Sequence, residues 1–249
     1  GGVSTLVRYL ANGPLDPSFG TNGKVTIDFG GNQAVTSLAL QPDGRIVLAG
    51  FGNASSCCYY ISLARFNADG SPDTGFGTSG NGKVTTDFSS TDDVATAVAL
   101  QPDGKILLAG YSNGRSGDGL NSDFALARYH ANGTLDASFG PGGTGKVTTD
   151  FGGTEIGFAL AVQSGGKIVV AGRADGGGAG DFALARYNGD GTLDAGFGTN
   201  GKVTTDFGGA GDTGRAALLQ SDGRIVVAGH TQSDFALARY NDDGSLDAN

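Results

Sequence analysis

The 249-residue chain has no methionine, no tryptophan, two cysteines, two histidines and a single glutamate, Glu155. With so few histidines and cysteines there is no His/Cys ligand cluster, and zinc is not expected. Cys57 and Cys58 are adjacent, which excludes a disulfide framework. They read as a vicinal disulfide closing a strained small ring, as two thiols, or as a bridge to another chain. No apolar run approaches the roughly 20 residues that a membrane-spanning helix needs, so no membrane insertion is expected. Lys and Arg number 16 against 25 acids, for a net charge of −9. No basic stripe exists to neutralise phosphates, so nucleic acid is not an expected partner. A chain that opens GGVSTL without a methionine reads as processed or as a piece of something longer, and the expected location is secreted or cell surface.

What the chain has in abundance is glycine, 47 residues, and one recurring stretch. DFALARYNGDGTLDAGFGTNGKVTTDF at 181–207 returns as DFALARYHANGTLDASFGPGGTGKVTTDF at 123–151 and as ISLARFNADGSPDTGFGTSGNGKVTTDF at 61–88. A first copy runs from 6 to 29, and a last one is cut short at the C-terminal end. The Arg of the motif falls at Arg8, Arg65, Arg128, Arg186 and Arg239, with spacings of 57, 63, 58 and 53 residues. Self-similarity at this period marks a repeat architecture.

Each unit reads as four short strands. The first ends in a QPDG-type turn, as at 37–41 and 96–100, and the second is a [KR]I[VL][VL]AG segment, as at 45–50 and 105–110. The third is FALARY and the fourth GKVTTDF. Tight turns such as PDG at 42–44 and 102–104 join the first strand to the second. Alternation in the third strand puts Phe124, Leu126 and Arg128 on one face, and Ala125, Ala127 and Tyr129 on the other. Both faces are apolar enough to pack between two neighbouring sheets. The expected fold is therefore all-β: a β-propeller of four-stranded antiparallel blades in one domain, 1–249. The repeats fall at about 30–88, 89–151, 152–207 and 208–249, plus 11–29. Four blades close if the strand at 23–29 supplies the outer strand of the last one, which would remove the sheet edges at the seam. The strand within residues 1–10 is then surplus. Part of a larger propeller or array is the alternative.

The pattern of ALQPDGKILLAG at 99–110, followed by DFALARY, the LD and FG turns and GKV, resembles the delta-60 repeat family of bacterial proteins. Its segment order is similar to that of NHL-type propeller blades. The likeness covers essentially the whole chain. It implies a propeller and supplies no catalytic motif to carry over.

Loops from first to second strand and from third to fourth are nearly the same in every copy and read as scaffold. Those from second to third vary: FGNASSCCYY, YSNGRSGDGLNS, RADGGGAG and HTQS. So do those from fourth to first, and in an up-and-down blade both variable sets emerge on one face. Loops on a rigid frame are where binding usually resides, which makes Tyr59, Tyr60, Tyr111, Arg115, Arg173 and His230 the candidate ligand-binding residues. Drift in unconstrained loops is the competing reading. The expected partner is a glycan or a surface protein, as for a lectin-like module, since tyrosine faces stack on sugars. Self-association through the N-terminal strand is the alternative, and a hydrolase at the propeller mouth ranks third.

Several motifs are discounted. Gly110 to Gly114 matches the G-x-S-x-G nucleophile elbow, but no helix follows Ser112. The G-x-G-x-x-G matches at 75–80 and 196–201 precede strands rather than helices, so they are turns. No catalytic residue and no cofactor is expected. Calcium is the one open exception, at Asp92 and Asp93, and less so in the NxDGxxD loops at 67–73, 188–194 and 241–247, where Asx turns explain the residues more simply. Arg65, Arg128, Arg186 and Arg239 read as half-buried and in need of a carboxylate. The recurring acids are Asp87, Asp150 and Asp206 at the end of the fourth strand, or the Asp of the LD turn. One ion pair per blade is expected, with a ring of arginines around the channel as the alternative.

Overall fold

A computed structural model of the protein describes residues 3–53, 58–88, 92–114, 121–176, 178–209 and 211–248. Every regular element among them is a strand. The first sheet has two strands, β1 (Ser4–Val7) and β2 (Lys24–Ile27). Three four-stranded sheets follow. They are β3 (Gln33–Leu40), β4 (Ile46–Gly52), β5 (Tyr60–Phe66) and β6 (Lys83–Thr86); β7 (Asp92–Leu100), β8 (Ile106–Gly114), β9 (Asp123–Tyr129) and β10 (Lys146–Thr149); and β11 (Glu155–Val162), β12 (Ile168–Ala174), β13 (Asp181–Tyr187) and β14 (Lys202–Thr205). A three-stranded sheet of β15 (Thr213–Leu219), β16 (Ile225–His230) and β17 (Phe235–Tyr240) completes the described chain. Within each sheet neighbouring strands are antiparallel and follow chain order, the up-and-down plan of a propeller blade.

The first strand of every larger sheet carries a bulge, between Val35 and Ser37, Ala95 and Ala97, Gly157 and Ala159, and Gly214 and Ala216. Opposite it sits the glycine of the AG motif. A Cβ on Gly50, Gly110, Gly172 or Gly229 would lie 1.9–2.0 Å from a carbonyl oxygen of the bulged strand, so only glycine fits. The extra residue turns towards the next sheet: Thr36 Oγ1 donates to Ala95 O at 2.7 Å and Thr96 Oγ1 to Gly157 O at 2.6 Å. Further along, the Arg215 guanidinium lies 4.0 Å over the Phe158 ring.

The core lies between sheets rather than within one. Phe124, Leu126, Leu107 and Phe139 of one sheet pack on Ile168, Val170, Ala183, Ala185 and Tyr187 of the next. Phe182, Leu184 and Phe197 meet Ile225, Val227, Ala236 and Tyr240 in the same way. The alternation expected of FALARY is thus realised as two faces of one sheet serving two junctions. Each buried tyrosine places its hydroxyl on a threonine of the preceding sheet: Tyr129 on Thr86 (2.7 Å), Tyr187 on Thr149 (2.7 Å) and Tyr240 on Thr205 (2.9 Å).

Two expectations are corrected. The strand at 23–29 does not complete the last blade, because β2 pairs with β1 in the register Ser4↔Ile27 to Val7↔Lys24. The N-terminal strand is therefore not surplus. A hairpin between chain neighbours, held by the Arg8–Asp16 ion pair and the Tyr9↔Leu15 bridge, repeats the arrangement of every other unit. Closing it requires ordering far less chain than a pairing across the whole domain. On β17, Phe235 is fully exposed and Leu237 is 67% exposed, where their counterparts in the other sheets are buried.

The second correction concerns the arginines. Each pairs with the LD aspartate eight residues on: Arg65–Asp73, Arg128–Asp136, Arg186–Asp194 and Arg239–Asp247, at 2.7–2.8 Å. Asp87, Asp150 and Asp206 are not the partners. Antiparallel register puts Thr149 opposite Phe124 and Lys146 opposite Ala127, so Asp150 lies at the far end of β9 from Arg128. The backbone carbonyls of Asp87 and Asp150 instead accept a lysine of the following unit, Lys146 and Lys202. Nor do the arginines ring a channel. Three of them stack on a buried phenylalanine, Arg65 on Phe76, Arg128 on Phe139 and Arg186 on Phe197, at 4.4–4.5 Å in the layers between sheets.

Candidate functional site on the variable-loop face

Tyr111, Arg173 and His230 occupy one repeat position, the residue after the AG glycine on the second strand, and Phe51 holds it in the first four-stranded sheet. All four stand at the strand end from which the variable loops emerge. Tyr59 packs edge-on against Phe51 with ring centroids 4.9 Å apart, and its backbone N–H donates to Asp92 Oδ1 at 2.8 Å. Burial pushes the Tyr111 hydroxyl pKa up, and the neighbouring Asp92 and Tyr59 add to the shift. Phe51 and Tyr59 thus form an aromatic pair at a sheet junction, with Tyr111 on the adjoining sheet. Tyr60 opens β5 beside it, half-buried, its pKa also raised by burial.

Arg173 and His230 belong to later sheets and do not join this group. Arg173 donates from Nη2 to Ala179 O at 3.0 Å. His230 is exposed, with Nδ1 3.0 Å from Thr231 O, beside a cleft of about 450 Å³ bounded by residues 230–235. Arg115 lies outside the described residues. So does Cys57, and with it the question of a vicinal disulfide to Cys58.

The loops from fourth to first strand are shorter than the sequence pattern implies, because their last residues already belong to the first strand. Asp92 and Asp93 are such residues, both buried on β7. Asp93 accepts Phe88 N at 2.6 Å through Oδ2 and Ser112 Oγ at 2.5 Å through Oδ1. Ser112 therefore lies buried within β8 as the partner of a capping carboxylate, not on a strand-to-helix elbow. In the NxDGxxD loops, Asp69, Asp190 and Asp243 cap Ser71, Thr192 and Ser245 as Asx turns.

Acids gather elsewhere on this face. Asp123 at the head of β9, Asp150 just after β10 and Glu155 at the head of β11 present carboxylate oxygens within 4.8 Å of one another. Asp181, Asp206 and Asp212 do the same one sheet later. In each group two acids come from one sheet and the third from the next. The backbone clamps the junction: Glu155 N donates to Ser122 O, and Asp212 N to Gly180 O, both at 2.7 Å. Glu155 is fully buried, and Phe151 N and Gly153 N face its carboxylate outside hydrogen-bonding geometry. Burial, then the charges of Asp150 and Asp123, push its pKa up to about 7. The Asp181 carboxyl is likewise raised, by burial and then by Asp206 and Asp212. Reading the sequence missed both groups, having weighed Asp150 and Asp206 only as possible partners of the arginines. The available signal was the recurrence of Asp at the head of the third strand, in units followed by one that carries an acid at or just before the head of its first strand.

No protein of curated function matches the chain in sequence. Among solved structures it is similar to the hydrazine synthase of Kuenenia stuttgartiensis, at 15% identity and a TM-score of 0.45, where 99% of this chain spans 30% of that one. It is also similar to an endo-arabinase from Bacteroides thetaiotaomicron (10% identity, TM-score 0.45, 86% of this chain and 77% of that one). A third is Sqt1 from Chaetomium thermophilum (14% identity, TM-score 0.44, 93% and 60%). At these identities and scores none of them bears on chemistry. The model of a family described as a domain of unknown function (DUF5122) beta-propeller matches residues 41–76, 101–139, 163–197 and 220–249. The first three segments each run from the glutamine before the second strand to the phenylalanine on which the arginine stacks. Together the four cover more than half of the chain, which therefore belongs to this β-propeller family.

Proposed function

We propose that the protein is a non-enzymatic binding module, secreted or at a cell surface, that recognises glycans or surface proteins through its variable-loop face. The observation that carries this reading is the aromatic pair of Phe51 and Tyr59, with Tyr111 on the adjoining sheet, set among loops that differ from unit to unit. The opposite end repeats the same turns in every unit, as scaffold does. Aromatic rings with a polar edge at a partly wet surface suit sugar faces and protein hot spots alike. A glycan array on the purified chain tests it. Specific binding lost in both Tyr59→Ala and Tyr111→Ala supports the reading, and a blank array together with no capture of surface proteins overturns it.

Self-association is the second reading, favoured by the exposed Phe235 and Leu237 on β17. A hydrolase ranks last. Its acid and base would have to open onto a substrate groove, whereas the acid groups of this face lie in sheet junctions with one member fully or almost fully buried.

A further inference from the structure

We infer that the two acid groups, Asp123–Asp150–Glu155 and Asp181–Asp206–Asp212, are divalent-cation sites that clamp successive sheets together. This inference does not rest on the proposed binding role. It rests first on convergence, since three carboxylate oxygens within 4.8 Å of one another are close enough to converge on a single ion with small side-chain shifts. It rests second on burial with incomplete compensation. Glu155 is 0% exposed and neither of its carboxylate oxygens has a hydrogen-bond partner; Asp212 is 2% exposed, its Oδ2 accepts Phe207 N at 2.7 Å and its Oδ1 has no partner. A buried carboxylate ordinarily finds donors or a metal.

The other junctions show what the same position looks like where no ion is called for. Gln33 stands in place of Glu155 in the first, where its Oε1 accepts Phe29 N. Asp93 stands there in the second, with both oxygens taken by Phe88 N and Ser112 Oγ. In that second junction Tyr60, not an acid, heads the third strand. Where Asp123 and Asp181 head it, the buried acid keeps at least one oxygen without a hydrogen bond beside two other carboxylates: both oxygens of Glu155, and Oδ1 of Asp212, whose Oδ2 accepts Phe207 N as Asp93 accepts Phe88 N. The donors are all oxygens, which selects a hard cation such as calcium over zinc. Asp150 and Asp206 are exposed, so an ion can enter from solvent and keep water ligands.

The test is calcium titration of the full chain after chelator treatment and dialysis, followed by calorimetry and by thermal unfolding. The expected result is two calcium ions per chain and a rise in the unfolding midpoint with added calcium. Asp150→Asn and Asp206→Asn, at exposed positions, should each weaken one site at least tenfold, and the double variant should lose both sites and the midpoint rise. Circular dichroism confirms that these variants are folded. Glu155→Gln should remove one site in the same assay. No binding at millimolar calcium, or equal binding by wild type and the folded double variant, overturns the inference.

Discussion

Arg128 and Asp136, eight residues apart, meet at 2.8 Å between Nε and Oδ2, in a junction where both side chains are almost fully buried. The same Arg reaches Gly189 O of the next unit through Nη1 and lies over the Phe139 ring. One side chain thus ties its own loop, its own aromatic plug and its neighbour. Arg239 makes the equivalent pair with Asp247, but its side chain is 36% exposed on the outer sheet.

That contrast sets the first expectation. Arg128→Ala removes the closest cation from the buried Asp136 carboxylate, leaving Lys105 Nζ at 3.4 Å and the Ser138 donors, and should cost about 3 kcal/mol in denaturant unfolding. Arg239→Ala, at the wetter position and with Arg224 Nε still 3.0 Å from the Asp247 carboxylate, should cost about 1 kcal/mol. Equal losses would show that the inter-sheet packing, not the pairing, carries the effect.

Acid should unfold the protein through these pairs. Burial alone would raise the Asp136 carboxyl pKa; hydrogen bonds from Ser138 Oγ and N, and then the Arg128 charge, hold it well below the usual carboxylate range. A carboxylate whose folded pKa is depressed stabilises the fold fully above its unfolded value, here 3.8, and loses that contribution as pH falls through the folded value. Asp194 is lowered in the same sense. The unfolding midpoint of the wild type should fall steeply below that pH, and Asp136→Asn, already weaker at neutral pH, should show a shallower fall.

Tyr187 and Thr149 join two sheets through a buried hydroxyl pair at 2.7 Å. Tyr187→Phe strands the threonine hydroxyl and should cost about 1–3 kcal/mol. Adding Thr149→Val removes the stranded group and should recover part of the loss, a positive coupling that a double-mutant cycle measures directly.

Gly172 faces Ile156 O so closely that a Cβ would sit 2.0 Å away. Gly172→Ala must push the bulge aside and should cost about 3 kcal/mol or more. Gly165→Ala, with nothing within 4 Å and no positive φ, is the control and should be near neutral in thermal unfolding.

The repeat period, the four-strand unit and the two-faced FALARY strand were readable from residue order, because each depends on chain neighbours and a period of two. The need of each arginine for a carboxylate was readable too. Its partner was not, since Asp136 and Asp150 recur at the same period and only the antiparallel register separates them by the length of β9. Closure by the strand at 23–29 was a reasonable count of strands, but a local hairpin with β1 met the same hydrogen bonds at a lower cost in chain entropy.

Composition and periodicity thus settle the propeller architecture, whose rules are local: alternation, turn glycines, and apolar faces on both sides of a sheet. The acid groups were out of reach of such rules. Asp123, Asp150 and Glu155 converge only because one sheet ends its third and fourth strands where the next sheet begins its first. Sheet stacking, not sequence spacing, sets that distance, and burial of Glu155 at the junction raises its pKa.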